Sequence, residues 1–449
     1  MKINNKIFHI IPEYLIILMP AALISGPFLS DLFICLISLI FLIKIIIEKK
    51  FFYIKNIYSY FFLVFFLFLL LNSLVNFTEI KLLKNPIFYF RFGLFFLAMF
   101  YYLDTVENLA KKIFYSFLVV ISFLIIDGYL QFFSGFNMFG YQLYDMEGGA
   151  RVSSFFGKEL IMGSYLSRLS PLVFGLYILN KNYNKFFSFF IFALFVLTEG
   201  LVFLSGERTS FFIINFSTLI CLLLLKDFKK MRLSIFITSI ILVLTISFYK
   251  PTSVQRMIYQ TLTQIGYLDS AKIFAKYYNS GTNKNLNNDL EEDIKIQIKK
   301  EQYIFSKSHQ SLYFTAINMF KQNIFFGIGP NNFRYLCEKK EFKHSEDSCS
   351  THPHNFYLQF LSELGLFGFA FIIFIFFILI YHLARCFIGK LKKKYIFTDF
   401  EICCLSIMFV NLWPISPSGN FFNNWLSIVC YFPLGFFIWS RSKKYRNLN

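Results

Sequence analysis

Long apolar blocks separated by short polar connectors dominate the sequence. The blocks Leu32–Ile47, Tyr60–Leu71, Ile235–Phe248 and Phe369–Tyr381 contain almost no charged residue. A helix needs about 20 mostly apolar residues to cross the hydrocarbon core of a bilayer. Only helices and closed barrels satisfy all their backbone polar groups there. Because these runs are continuous and do not alternate with polar residues, they predict transmembrane helices and not a membrane β-barrel.

The same pattern repeated along the chain predicts an all-α integral membrane protein with about twelve transmembrane helices. The predicted helices cover residues 8–28, 30–47, 59–76, 87–103, 112–133, 159–179, 186–204, 209–225, 233–249, 356–382, 398–412 and 425–440.

The connectors between the predicted helices alternate between Lys-rich and Lys-poor. The Lys-rich set comprises 49–55, 111–112, 181–185, 226–232, 385–394 and the tail 441–446. Lys81 and Lys84 are the main exception in the other set. Loops rich in Lys and Arg stay in the cytoplasm. Both termini are therefore predicted to be cytoplasmic, which agrees with an even number of spans.

Three parts follow from this topology. Residues 1–249 hold the first nine helices, residues 250–355 form a large external loop, and residues 356–449 hold the last three helices and a cytoplasmic tail. A loop of this length usually has a function or a structure of its own. The loop is therefore the first place to look for external chemistry.

An amphipathic helix is predicted within the long external loop. Tyr313, Ala316, Ile317 and Phe320 recur at the spacing of one helix face. Such a face buries itself against a membrane surface or against other helices. We expect this helix to rest on the membrane or on the helical bundle.

The high net charge of the chain does not change the prediction of a membrane protein. The chain has 449 residues and a formal net charge of +18, but only 16% of its residues are charged, against about 25% in soluble domains. The basic residues sit in short clusters between apolar blocks, so nucleic acid is not an expected partner. Membrane lipids are expected partners.

His354 stands where the external loop becomes the tenth predicted helix. Asn355 follows it in a position to cap that helix. The free backbone donors at a helix start favour anionic groups. A histidine titrates near neutral pH and can act as a general base. The alternative is an interfacial histidine that only bonds backbone.

Charged residues also flank two other predicted helix ends on the external side. Arg208 follows the seventh span, and its guanidinium suits phosphate, although a turn salt-bridged through Glu207 is an alternative. Arg151, Lys158 and Glu159 surround the start of the sixth span. They are candidates for the same site or simple interfacial anchors.

Two cysteines of the external loop, Cys337 and Cys349, are twelve positions apart. The cell exterior is oxidising, which favours a disulfide that closes the segment before His354. A metal site with both cysteines, His352 and His354 is the alternative, but the spacing is not typical of zinc. The other six cysteines lie in or beside apolar spans, as packing residues do.

Several of these stretches resemble one family. Thr351–Gln359, followed by Ser362–Gly365, resembles the signature of the O-antigen ligase and polymerase superfamily, in which His-Asn precedes Glu-x-Gly on a helix. Further stretches in the same order resemble other blocks of that family, namely Arg151–Gly157, Leu204–Arg208 and Ala316–Arg334.

The resemblance implies a GT-C-like membrane glycosyltransferase at the periplasmic face of the bacterial inner membrane. Its donor would be a glycan on undecaprenyl pyrophosphate, and no metal ion or cofactor would be needed. A ligase uses lipid A–core as acceptor, and a polymerase uses another lipid-linked glycan. The pattern is nearer the ligase branch. A transporter of lipid-linked glycan is the alternative of another class, although the two similar halves common in transporters are not evident.

The resemblance also implies residue roles. His354 would take the proton of the acceptor hydroxyl, and Arg208 would neutralise the departing pyrophosphate. Ligases usually carry a second arginine in the long loop, where this chain reads Ser306–Ser311. The candidates for that role are Lys307, His309, Arg334 and Arg256. The predicted substrate-binding set is Arg334, His309, Arg151, Glu159 and Asn355.

Overall fold

The computed structural model describes residues 7–77, 80–146, 149–180, 183–249, 256–257, 261 and 306–442. Its helices are α1 (Ile7–Ala22), α2 (Pro27–Glu48), α3 (Ile57–Val75), α4 (Ile80–Phe88), α5 (Phe90–Thr105), α6 (Leu109–Ser134), α7 (Met162–Leu179), α8 (Lys185–Leu204), α9 (Arg208–Leu224), α10 (Lys229–Tyr249), α11 (Lys307–Gln322), α12 (Phe333–Leu336), α13 (Phe356–Leu391), α14 (Asp399–Asn411) and α15 (Asn424–Arg441). A hairpin of β1 (Tyr144–Met146) and β2 (Gly149–Arg151) follows α6.

The fold is that of an all-α membrane protein, as predicted. Within the described ranges, seven helical segments are long and apolar enough to cross a membrane, and two shorter apolar helices accompany them. Each of the twelve predicted helices has a counterpart in the structure. The number that cross the membrane stays a prediction. Most of the predicted loop between 250 and 305 lies outside the described residues.

Two predicted helix ends are wrong. The first predicted helix runs to residue 28, but α1 ends at Ala22 and α2 begins at Pro27 after Gly26, whose φ is 107°. Proline fits the first turn of a helix, and glycine accepts the left-handed conformation before it. The tenth predicted helix ends at residue 382, but α13 continues to Leu391 through a stretch that includes Arg385 and Lys390.

Helix α7 occupies the centre of the bundle. It packs against α9 and α14, and nearly all of its side chains are buried. Helices α5 and α15 form a second close pair. A helix surrounded by protein can hold a buried charged residue such as Arg168, because a neighbouring helix provides a partner. Arg168 Nη1 donates to the Asn411 side chain of α14 at 2.5 Å.

Helices α9 and α13 run in the same direction. The Lys390 Nζ atom near the end of α13 donates to the carbonyls of Leu223 and Leu225 at the end of α9, at 2.6 and 2.8 Å. Both helices therefore finish at the Lys-rich face. Their first residues, Arg208 and Phe356, therefore lie at the opposite face of the bundle.

A break at Gly365 divides α13. The φ of Gly365 is 66° and its ψ is −161°, so the residue leaves the helical conformation. A side chain at this position would overlap the carbonyl of Phe325. Glycine is required here both for the left-handed backbone and for the close approach of the loop.

The loop segment 324–329 fills this break. The Ile328 and Gly329 amides donate to the carbonyls of Ser362 and Glu363, both at 2.9 Å. The α13 groups freed by the break are thereby satisfied inside the protein, as buried backbone requires. The hydrogen bonds at the break thus attach the external loop to the helical bundle.

The predicted amphipathic helix is confirmed as α11, which packs against α13. Its buried residues Leu312, Ala316 and Met319 form a small core with Ile328 and Phe333. The helix therefore rests on the bundle and carries the residues of its N-terminal turn toward the start of α13.

Candidate active site

The turn between α8 and α9 shapes one side of the site. Gly206 in this turn has a φ of +66°. A Cβ atom on Gly206 would stand 2.8 Å from Arg256 Cδ and 3.0 Å from Arg151 Cγ. The side chains of Arg256 and Arg151 therefore pack directly against Gly206, and a larger residue at this position would displace them.

Glu207 fastens the turn to the centre of the bundle. Its carboxylate accepts hydrogen bonds from the amides of Gly163 at 2.7 Å and Ser164 at 2.9 Å. It also accepts from the Ser210 hydroxyl at 2.9 Å. These amides belong to the first turn of α7, where backbone donors lack helical partners and favour an anion. Glu207 thus fixes the position of Arg208, which follows it.

Backbone carbonyls hold two arginines in place. Arg151 Nε donates to the Ser205 carbonyl at 2.9 Å, and Arg256 Nε donates to the Gly206 carbonyl at 3.2 Å. Arg208 begins α9, and its Nη1 donates to the Thr261 hydroxyl at 2.9 Å. The three guanidinium groups therefore converge on one short turn.

The charges of these arginines act on one another. Burial, and after it the charge of Arg256, lowers the pKa of Arg151 to about 10. Arg151 remains protonated at neutral pH at that value. A partly buried group of three cations, with one carboxylate already bonded to α7, is a site for an anion with more than one negative charge.

Two polar residues of α6 hold the segment that carries Arg151. The Gln131 side-chain oxygen accepts from the Ser153 and Ser154 amides at 2.9 and 2.8 Å. Asp127 accepts from the Ser154 hydroxyl at 2.6 Å. Both α6 residues are fully buried. Sequence reasoning missed them, although an Asp and a Gln one turn apart in an apolar helix are a signal.

The histidines form the other side of the site. His354 has a left-handed backbone, with a φ of 56°, immediately before α13. Its ring centroid lies 4.1 Å from that of His352 and 5.4 Å from that of His309 on α11. The Ser306 hydroxyl is 2.8 Å from His309 Nδ1, and the Ser350 hydroxyl is 3.3 Å from His354 Nε2.

Burial keeps these imidazoles neutral. It lowers the pKa of His354 to about 4, and the nearby His309 adds to the effect. It lowers the pKa of His352 to about 3, with His354 as the next cause. Neutral imidazole is the form that accepts a proton, so His354 is in the state that a general base needs at neutral pH.

His309 connects the two sides of the site. Burial and then the positive charge of Arg208 lower its pKa. Its ring also contacts that of His354. The structure therefore brings His354, His309, Arg208 and Arg151 to one face of the bundle.

Asn355 has the capping position expected from the sequence. Its side-chain oxygen accepts from the amides of Tyr357 at 2.9 Å and Leu358 at 3.1 Å. Its side-chain nitrogen donates to the Pro414 carbonyl at 2.7 Å. These bonds start α13 directly after His354 and tie it to the loop after α14.

The remaining predicted residues lie at the edge of the site. The side chains of Arg334, Glu159 and Lys307 are exposed. The charge of Arg334 still contributes to the lowered pKa of His352. Cys337 and Cys349 are joined as a disulfide in the structure. Across the described ranges, no group of three or more His, Cys, Asp or Glu side chains is arranged to hold a metal ion.

One comparison with known proteins bears on this arrangement. A family model described as O-antigen ligase matches residues 191–373. The match begins in α8 and includes the Gly206 turn, α11, His354 and the Gly365 break. A search of curated proteins finds no matching relative.

Proposed function

The chain belongs to the O-antigen ligase superfamily, and on that premise we propose that it transfers a glycan from undecaprenyl pyrophosphate to lipid A–core. The observation that carries this proposal is the pairing of a three-arginine cluster with a neutral histidine on one face of the bundle. A glycosyl transfer from pyrophosphate needs both: cations for the leaving group and a base for the incoming hydroxyl.

In the proposed reaction, the acceptor hydroxyl oxygen attacks the anomeric carbon of the donor glycan. The bond between that carbon and the pyrophosphate oxygen breaks, and its electron pair leaves with undecaprenyl pyrophosphate. The hydroxyl proton passes to His354. Arg208, Arg151 and Arg256 neutralise the charge that grows on the leaving group, with guanidinium geometry suited to phosphate oxygens.

The second cationic role is assigned to Arg256 in this proposal. His309 is kept neutral by burial and by Arg208, so it cannot supply a full charge. Arg256 packs beside Arg151 at the Gly206 turn, where a cation can reach the same anion. His309 would contribute a hydrogen bond to substrate or to His354. Arg334 would attract the anionic substrate from the edge.

The orientation of the site follows from charge. The ends of α9 and α13 meet among Lys226, Lys390 and the run Lys392–Lys394. Positively charged loops stay in the cytoplasm. The opposite ends, which carry Arg208 and His354, would then face the periplasm from the inner membrane.

A polymerase that joins lipid-linked repeat units is the second candidate, because the family match and the site chemistry suit both reactions. Glycolipid analysis of a deletion strain separates them. Loss of a ligase leaves lipid-linked polymer and bare core. Loss of a polymerase leaves core that carries a single repeat, and that result would overturn the ligase assignment.

A purified assay tests the reaction class itself. Protein in proteoliposomes with lipid-linked donor and lipid A–core should release undecaprenyl pyrophosphate as the acceptor gains glycan. The exposed His344 of the same loop provides a matched control, since His344→Ala should transfer normally. Movement of donor across the bilayer without any transfer would favour the transporter alternative.

A further inference from the structure

His352 is a buried histidine to which the proposed reaction gives no role. It is 7% exposed and stands two residues before His354. The centroids of the two rings are 4.1 Å apart, and the ring planes are inclined by 44°. The ring of His352 is therefore in direct contact with the proposed base.

The hydrogen bonds of His352 fix its tautomer. Its Nε2 atom is 3.2 Å from the Ser418 carbonyl oxygen. A carbonyl only accepts, so this Nε2 carries a proton. Burial lowers the pKa of His352 and keeps the ring neutral, which leaves Nδ1 unprotonated. Nδ1 then accepts from the Thr351 hydroxyl at 2.8 Å. Both nitrogens of His352 are thus engaged with protein groups, and neither is available to act as the base.

The loop between α14 and α15 holds both histidines through the backbone of Ser418. The Ser418 carbonyl accepts from His352, and the Ser418 amide donates to the His354 carbonyl at 2.9 Å. In the same loop, the Pro414 carbonyl accepts from the Asn355 side chain at 2.7 Å. Three hydrogen bonds therefore join residues 352–355 to a loop beyond the family match, which ends at residue 373.

The conformation of His354 requires support of this kind. Its φ of 56° lies in the left-handed region, which is uncommon for residues other than glycine. Such a conformation persists where the surrounding structure holds it. The Ser350 hydroxyl lies 3.3 Å from His354 Nε2, which is at the long end of the hydrogen-bond range. The orientation of the ring therefore depends on packing against His352 as well.

We propose that His352 is a positioning residue, held on the Ser418 carbonyl, that fixes the ring of His354 in the orientation needed to take the acceptor proton. The proposal rests on the proposed function and extends it to a second histidine and to the loop between α14 and α15. In this role His352 exchanges no proton during the reaction and acts only through His354.

A double-mutant comparison in the purified transfer assay tests this role. His352→Ala should lower kcat by up to about 10²-fold, the loss that a misplacement of about 1 Å causes. KM for the donor should change little, because the carbonyls of the Gly206 turn hold the arginines. In the His354→Ala protein the same replacement should cause no further loss, because the group through which it acts is absent. Losses that multiply in the double variant would overturn the proposal.

Two amide substitutions test the hydrogen bond to Ser418. The side-chain nitrogen of glutamine can take the place of Nε2, whereas that of asparagine is one methylene group shorter and corresponds to Nδ1. His352→Gln should therefore keep most of the kcat that His352→Ala loses, and His352→Asn should not. Equal kcat values for the Gln and Asn variants would overturn the assigned bond.

Ser418→Ala is the matched control. The backbone of Ser418 makes both bonds to the histidines. Its hydroxyl has no hydrogen-bond partner among the residues that the structure describes. The alanine variant should therefore transfer glycan at the parent rate. A loss as large as that of His352→Ala would assign the effect to the hydroxyl and overturn the proposal.

Nitrogen NMR of the histidine rings gives a readout that does not depend on activity. Protein labelled with ¹⁵N at its six histidines should show a neutral Nε2–H ring whose signal is absent from His352→Gln protein. In His352→Ala the signal of His354 should move, and that of the exposed His344 should not. A proton on Nδ1 of the His352 ring would overturn the assigned tautomer and the proposal with it.

Failure of this role differs from failure of the proposed function. Parent protein that transfers no glycan from the lipid-linked donor would refute the proposed function, and the role of His352 would fall with it. A parent protein that transfers glycan, a His354→Ala protein that does not, and a His352→Ala protein with the kcat of the parent would leave the reaction standing and refute only the positioning role.

Discussion

The rings of His309 and His354 lie 5.4 Å apart, although one belongs to the first turn of α11 and the other precedes α13. Their contact joins α11, which belongs to the external loop, to the start of α13 in the membrane bundle. Because Arg208 also acts on His309, a change at any of these three residues is expected to affect the others.

Replacement of His354 with Ala should abolish most glycan transfer. Loss of a general base costs on the order of 10²–10⁴-fold in rate. Donor binding should largely persist, because the Ser205 and Gly206 carbonyls hold Arg151 and Arg256 in place. The purified transfer assay and a donor-binding measurement check this together, with His344→Ala as the control. Transfer at the parent rate by His354→Ala would rule out the general-base role.

Stability should depend on pH through the buried histidines. In the unfolded chain a histidine titrates near pH 6.5, whereas burial lowers the pKa of His352 to about 3. Below about pH 6.5 the unfolded state therefore binds a proton that the native state does not, and stability falls as pH falls. The contribution is fully present above pH 6.5 and is lost toward pH 3.

The Glu207 carboxyl acts in the opposite direction, because burial raises its pKa to about 7. A comparison of variants isolates the histidine. On going from pH 7.5 to pH 5, the melting temperature of His352→Gln protein should fall less, or rise more, than that of the parent. Equal changes in the two proteins would show that His352 is not the titrating group.

The sequence predicted well what depends on local pattern. Apolar length located the twelve helices α1–α3, α5–α10 and α13–α15, whereas α4 and α12 were not predicted. The asparagine before α13 indicated its cap. Both signals lie within a few residues of what they determine. The short turn after Ala22 was missed although Gly26 and Pro27 signal it.

Features of the site that depend on contacts between distant residues could not be predicted from local sequence patterns. Asp127 and Gln131 bind a segment more than twenty residues away, and Gly365 is explained only by the loop that enters beside it. In each case the partner is set by tertiary packing, which no single stretch of sequence encodes. The same holds for Arg256, which packs beside Arg151 at the Gly206 turn although the two arginines are far apart in the sequence.

Gly365→Ala should destabilise the protein and loosen the external loop. A side chain there meets both a left-handed backbone and the Phe325 carbonyl. Strain of this kind costs about 1–3 kcal/mol. The melting temperature in detergent should fall by several degrees, and a protease should cut near α11 faster. Gly419→Ala is the control, since its Cβ would meet only Leu426 at 3.4 Å. Equal melting temperatures for the two variants would contradict the packing of loop segment 324–329 into the break at Gly365.

The disulfide predicts a defined alkylation pattern. Denatured protein purified without reductant should take up six alkyl groups, and reduced protein should take up eight. The Cys337→Ser, Cys349→Ser double variant should transfer glycan more slowly, because the segment before His354 is less constrained, but it should keep measurable activity. Eight alkyl groups without reductant would show that the two thiols are free.

The three arginines should contribute unequally according to their geometry. Arg208→Lys should retain part of the activity that Arg208→Ala loses, because a lysine keeps the charge but cannot bind two phosphate oxygens as a planar fork. Arg256→Lys should behave in the same way if Arg256 supplies the second cation. Lys392→Ala at the opposite face provides a control for the loss of one positive charge.

Each arginine variant should lower kcat more than it raises KM, since the charge on the leaving oxygen develops in the transition state. Double replacement of Arg208 and Arg256 should cost less than the product of the single effects, because both cations act on one anion. Independent, multiplicative losses would instead place the two guanidinium groups on different parts of the substrate, and the shared pyrophosphate site would have to be abandoned.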